Sequence, residues 1–272
     1  VSPGVDRLFI AAARVCAAAV VAIAPLVLIA LAAATVAALV KGVAKPADTA
    51  FWLLLSSVSF GLIGATIGTA LGVGAALYAV EIASPGLRQT IKALVGALHA
   101  VPAVGYGVVA AGALLVTPLL PNLAVTIAIA SMVIALMVAS VVFVQTRREL
   151  SGLPAELRVA AAAAGADPVN TATRAVLPAL QRKIAGIWWS SLALALGEAT
   201  ALQIVFAAAS IKAEAFGMPV LAGTLASTLL QFGASTRSLA LLGTAPLALL
   251  LLAMTIAAVL LGRRAVGHVP WP

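Results

Sequence analysis

The sequence predicts an all-α, polytopic membrane protein, and three observations carry that reading. Of 272 residues, 64% are hydrophobic and only 9% charged, whereas water-soluble domains carry about a quarter charged residues. The apolar residues fall in long runs, and about 20 of them at 1.5 Å each suffice to cross the hydrocarbon of a bilayer. No part of the chain shows the ~10-residue alternating segments of a membrane β-barrel.

Six transmembrane helices are expected within a single domain, 1–272: residues 15–40, 53–80, 91–116, 122–144, 184–209 and 238–261. The first run follows Arg7 and Arg14 but is too long for a signal peptide, whose apolar core spans about 7–15 residues. "KGVAKPADT" separates it from the second. On that second helix Gly64, Gly68 and Gly72 recur every four residues, a small-xxx-small ridge that lets another backbone approach closely. "EIASPGLRQTIK" carries a Pro-Gly turn signal. In the third run, "HAVPAVGYG" places Pro102 where it removes a backbone donor and clashes one turn back, so a kink or interruption is expected there. "TPLLPN" forms a tight hairpin before the fourth run. Trp188 and Trp189 near the inner end of the fifth span, and Trp52 at the outer end of the second, read as interfacial anchors.

Charge sets the orientation. With the N-terminus inside, the inner segments hold Arg7, Arg14, Arg88, Lys92, Arg147, Arg148, Arg158, Arg174, Arg182, Lys183, Arg263 and Arg264. The outer segments hold Lys41, Lys45, Lys212 and Arg237, the remainder of the 16 cations. That is a positive-inside bias with both termini cytoplasmic. The formal net charge of +8 therefore reflects topology, and no nucleic-acid partner is expected. The single cysteine, Cys16, permits no internal disulfide or thiolate cluster, and no metal site or catalytic residue is expected.

Residues 145–183 are the most polar stretch. "PAELRVAAAAAG" is a strong helix former, rich in Ala, Leu, Glu and Arg. Pro154 suits its first turn and Gly165 its end. Asp167 can cap a second short helix with Pro168 at its first position, and Pro178 punctuates the entry to the fifth span. This is a helix-turn-helix platform at the cytoplasmic face. "VAAAAAGADPVNTATRAVLP" resembles the EAA coupling loop of ABC-importer permeases: Glu-Ala-Ala, three residues, Gly, nine residues, then Ile-x-Leu-Pro. Ala160, Ala161, Gly165, Leu177 and Pro178 fall in register, while Val159 stands at the pattern's Glu and Ala175 at its Ile. The resemblance implies that this loop, with Glu156, Arg158, Ala160, Ala161, Gly165, Asp167 and Pro178, docks into a separate ATP-hydrolysing subunit. The chain has no G-x-x-x-x-G-K-[ST] of its own. ATP and Mg would accordingly sit on two partner ATP-binding subunits and no cofactor on this chain, in the plasma membrane of a prokaryote.

"VDRLFIAAARV", "VPAVGYG", "GEATAL" and "TLASTLL" in that order are similar to the phosphate-specific permeases of the PstA/PstC type, with Tyr106-Gly107 on the PstC side. That resemblance implies a second, different permease subunit and an extracytoplasmic phosphate-binding protein as partners, with membrane lipid around them. Where those relatives commonly carry Arg four residues before the Glu, this chain has Leu194. With no Arg or Lys inside the spans beyond their ends, an anion's path would be lined by His99, Tyr106, Ser190, Ser191, Thr200 and Gln203, a weak multi-site lining suited to conduction. Glu198 is the exception in "LALALGEATALQIVF". Its flanking ionisable residues are as distant as Lys183 and Lys212, and an intramembrane carboxylate marks function by default. It would either pair with a cation of the partner permease or be protonated and donate a hydrogen bond, and Gly197 beside it would admit another helix closely. The expected activity is inward transport of phosphate by alternating access. Other oxyanions (molybdate, tungstate, a phosphonate) are the nearest alternative, and a proton-coupled carrier using Glu198 the next.

Overall fold

The computed structural model describes residues 47–116, 123–198, 200–215 and 238–266. The expected first span, the hairpin at 117–122, the outer segment 216–237 and the side chain of Trp52 lie outside the described residues. Every regular element among the described residues is helical. In chain order they are α1 (Ala47–Leu77), α2 (Pro85–Ala100), α3 (Ala103–Val116), α4 (Leu123–Ser151), α5 (Ala155–Ala163), α6 (Pro168–Gly197), α7 (Thr200–Ala215) and α8 (Ser238–Val266). α1 runs on through a π-helical turn, Tyr78–Ile82, and α6 contains another, Thr171–Val176.

One expected break is present, and the bounds of three expected spans change. The run 91–116 is not one rod: α2 and α3 meet at 93°, because Pro102 has no N–H to continue the ladder and the chain turns extended at Val101. α2 has no buried residue and carries Arg88, Gln89, Lys92 and His99 on its polar side. The fourth helix continues well past residue 144 to Ser151, because Gln145–Ser151 are competent helix formers; polarity marks the end of the apolar slab, not the end of the helix. The fifth begins before residue 184 and breaks between Gly197 and Thr200, where α6 and α7 are bent by 49°. Among the described residues, Ser57–Ile82 and Ala128–Ser151 are long and apolar enough to cross a membrane singly, and the number rises to as many as four if each bent pair is one broken span.

The helices hold together by close backbone approach. In lipid the tails are as apolar as Leu, so association rests on van der Waals fit rather than on burial from water. Gly64, Gly68 and Gly72 lie against Ile134, Val138 and Val142 of α4, and the two helices run side by side along this ridge. A Cβ at Gly64 would stand 2.7 Å from the Cβ of Ile134. Phe60 of α1 meets Phe206 of α7 edge to face at 5.7 Å, in a cluster completed by Leu192, Leu196, Leu202 and Val205. α8 packs on α6 where Gly262 faces Gly186 and Trp189. The Trp188 indole donates to the Thr66 hydroxyl at 3.2 Å, joining α6 to α1. A second cluster, with Ala76, Ala79, Phe143, Leu150, Val176 and Leu180 buried, closes the end of the bundle beneath α5.

Candidate functional site

The platform 145–183 is built by local chemistry. α5 starts directly after Pro154 and ends in a Schellman arrangement: the Gly165 N–H donates to Ala162 O at 2.9 Å and the Ala166 N–H to Ala161 O at 3.0 Å. Gly165 has φ +80°, a conformation that costs any L side chain about 1–2 kcal/mol. Asp167 accepts from the Asn170 N–H at 2.6 Å, with Pro168 at the first helical position. Pro178 sits inside α6, where its ring would crowd the Arg174 carbonyl. The π turn before it, in which the Leu177 N–H reaches back to Ala172 O, widens the coil and absorbs that crowding. On α5, Leu157 packs inward on the second cluster and Ala161 is half-buried. Glu156, Ala160 and Ala163 are exposed, and Val159 is 67% exposed. The outward face of α5 is thus short-chained and nearly uncharged.

Sequence reasoning missed what pins α5 in place. Arg158 forks onto Glu81 of the π turn ending α1: Nε donates to both carboxylate oxygens at 3.1 Å and Nη2 to Oε1 at 2.7 Å. Nη2 also donates to the Leu150 carbonyl of α4 at 3.1 Å. The hydrogen bonds to Glu81 raise the Arg158 pKa further above its ordinary high value, against the opposing effect of burial, so the guanidinium stays charged. Lys183 pairs with Glu149, tying α6 to α4, and Arg88 donates to the Val80 carbonyl at 2.7 Å. The available signal was a lone acidic residue closing an apolar run; nothing local points from it to Arg158.

The residues expected along a path fall mostly at the two breaks. At the first, Leu98 O has no α-helical donor because the residue four on is Pro102. The Tyr106 hydroxyl supplies one at 2.7 Å beside a weaker bond from the Val101 N–H at 3.1 Å. Tyr106 is therefore a buried strut across the bend, while His99 is exposed at the end of α2. At the second break, Glu198 turns back on its own chain: Oε1 accepts from the Thr200 hydroxyl and from the Ala201 N–H, each at 2.9 Å. The half-buried carboxylate caps α7, where the helix dipole favours negative charge. The two breaks meet, because a Cβ on Gly107 would lie 2.8 Å from Cα and O of Ala201. Gln203 is half-buried one turn on. Ser191 is buried on α6, whereas Ser190 is exposed and bonds back to Ile187 O at 2.8 Å. Among the described residues of this chain nothing lies within 4 Å of where a Cβ on Gly197 would stand. An apolar groove of about 210 Å³ between α1, α6 and α8, lined by Leu62, Trp189, Leu196 and Met254 among others, includes none of the expected path residues.

Capping makes a prediction. Glu198→Gln keeps an acceptor oxygen and should leave stability nearly unchanged, whereas Glu198→Ala should cost about 1–2 kcal/mol. Thermal unfolding in detergent measures both, and equal losses would sink the capping assignment.

No protein-family model matches the sequence, and no curated protein matches it. Solved structures do. Over 82% of its length the chain is similar to a full chain of the inward-facing MetNI methionine ABC transporter in its CY5 native crystal form, at 18% identity and a TM-score of 0.56. The CY5 selenomethionine-soaked form gives 16% identity and a TM-score of 0.54, again over 82% of this chain and all of that one. At such identities the likeness is one of fold.

Proposed function

We propose that this chain is the membrane-spanning subunit of an ATP-driven importer and that it moves inorganic phosphate inward by alternating access. The observation that carries the reading is α5. A rigid, small-faced helix stands exposed at the end of the bundle with its inner side anchored, in a fold shared with a chain of an ABC transporter. Such a helix can seat in a cleft of an ATP-hydrolysing subunit and transmit that subunit's motion. Two ATP-binding subunits holding ATP and Mg, a second permease and an extracytoplasmic binding protein complete the assembly. Binding of ATP closes the paired ATPases and opens the path toward the binding protein; hydrolysis returns it to inward-facing. The short motifs around Tyr106 and Glu198 support phosphate as the cargo, with the side-chain amide of Gln203 as a donor and any cation supplied by the second permease.

The test is ATP-dependent uptake of radiolabelled phosphate in cells carrying the assembled system. Gly165→Asp, which forces a side chain into the left-handed stop of α5, should abolish uptake while the protein remains in the membrane. Undiminished uptake by that variant would refute the docking role. Transport of molybdate, tungstate or a phosphonate in preference to phosphate moves the cargo to another oxyanion. Uptake that persists without ATP and collapses with the proton gradient would replace the importer with a carrier.

A further inference from the structure

We propose that Arg158 is a positioning residue that ties the exposed helix α5 to the α1–α4 pair through Glu81, so that a push on α5 moves both helices as one body. The inference rests on the proposed function for the source of that push, but the tie itself is a matter of geometry.

One side chain joins three structural elements. Arg158 leaves α5, takes the Glu81 carboxylate at the end of α1 in a two-sided grip, and reaches the Leu150 carbonyl near the end of α4. The grip suits Arg better than Lys, because a planar guanidinium presents several donors in fixed directions, whereas the three donors of an ammonium share one nitrogen on a flexible stem and cannot form the fork. α1 and α4 cannot part easily, since the ridge Gly64-Gly68-Gly72 brings backbone and Cβ atoms of the two helices into direct contact. Holding either helix therefore holds both.

The joint is shielded on its acidic side. The Glu81 side chain is 7% exposed and that of Arg158 30%, so water reaches the guanidinium but has little access to the carboxylate, which is penalised if left without its partner. The carboxylate projects from a π turn, Tyr78–Ile82, that packs against the second π turn, Thr171–Val176. π turns are locally wide and recur at functional positions. The forked ion pair spans this junction and links α5 to α1 directly. On the same side Lys183 and Glu149 join α6 to α4, so the load reaches the next helix too.

Distance measurements between nitroxide labels test the tie on the assembled complex in detergent. The labels go on Ala155, the exposed first residue of α5, and on Leu71 of α1, which is 51% exposed, in a Cys16→Ser background. Wild-type protein should show one narrow distance, unchanged by Mg-ATP. Glu81→Gln should broaden the distribution at rest and shift it when Mg-ATP is added. The swap Glu81→Arg with Arg158→Glu should narrow it again, a rescue that loss of general stability would not give. A wild-type distance that shifts with Mg-ATP, or a Glu81→Gln distribution as narrow and immobile as wild type, overturns the proposal. Should Glu81→Gln fail to accumulate, Arg158→Lys takes its place, keeping the charge but giving up the fork, with the same broadening expected. Hydrolysis of Mg-ATP by the co-purified subunits is read on the same wild-type sample. Its absence counts against the proposed function, while the resting distributions still judge the tie.

Discussion

Gly68→Leu should prevent α1 and α4 from packing, and Gly68→Ala should already lower the melting temperature in detergent. The alanine Cβ would stand 2.6 Å from Val138 Cβ and 2.7 Å from the Ala135 carbonyl oxygen. Neither is the movable end of a long side chain, so the helices themselves must separate. Overpacking of this kind costs about 1–3 kcal/mol, and leucine adds atoms with nowhere to go. Gly74, on the same helix, is the internal control: a Cβ there meets nothing within 4 Å. Gly74→Ala should therefore be neutral or stabilise by up to about 1 kcal/mol through helix propensity. Similar losses at both positions would remove the glycine ridge as the basis of the α1–α4 contact.

Gly107→Ala should be more damaging than Gly68→Ala, for a different reason. Its Cβ would meet backbone alone, Cα and O of Ala201 at 2.8 Å, just where α7 begins. Separating α3 from α7 would also disturb the Ala201 N–H that Glu198 accepts, so steric and capping losses combine. We expect a cost of about 2–4 kcal/mol, the overpacking range with a weakened cap added. If the two effects are coupled, Gly107→Ala and Glu198→Ala together should cost less than the sum of the single changes. Strict additivity of the melting shifts would show that the breaks are independent.

The parts legible in the sequence are those whose cause is local. Pro154, Gly165, Asp167 and Pro168 delimit α5 and the start of α6 through capping and backbone rules that act within four residues. Pro102 interrupts the third run for the same kind of reason, and a glycine every fourth residue identifies the packing face of α1. Hydropathy was a poorer guide to geometry. It sums composition without direction, so α2 and α3 read as one span although they meet at 93°. It also stopped the fourth helix at the edge of the apolar run, although the helix itself runs on to Ser151. Glu198 stood out as a charge among apolar neighbours, but its capping geometry depends on a break that no proline marks. The pairing of Arg158 with Glu81 spans 77 positions. Its only local trace is an acidic residue at the end of an apolar run.

The π turn at Tyr78–Ile82 has a consequence for how this chain tolerates length changes. In effect it stores one residue more than an α-helix would use over the same rise. Deleting a residue within it would let the coil close into ordinary α-helix without a strained bond, and a simple assay of folding would pass the variant. Each residue of an α-helix advances the azimuth by about 100°, whereas the wider π turn takes an additional residue for the same rotation. A deletion in the α-helical stretch between the glycine ridge and Tyr78 would therefore swing Glu81 round the axis by roughly 100°, away from Arg158. A deletion of the surplus residue would leave both faces close to their original bearings: the π turn is slack that lets α1 lose a position without losing either its packing face or the face that meets α5.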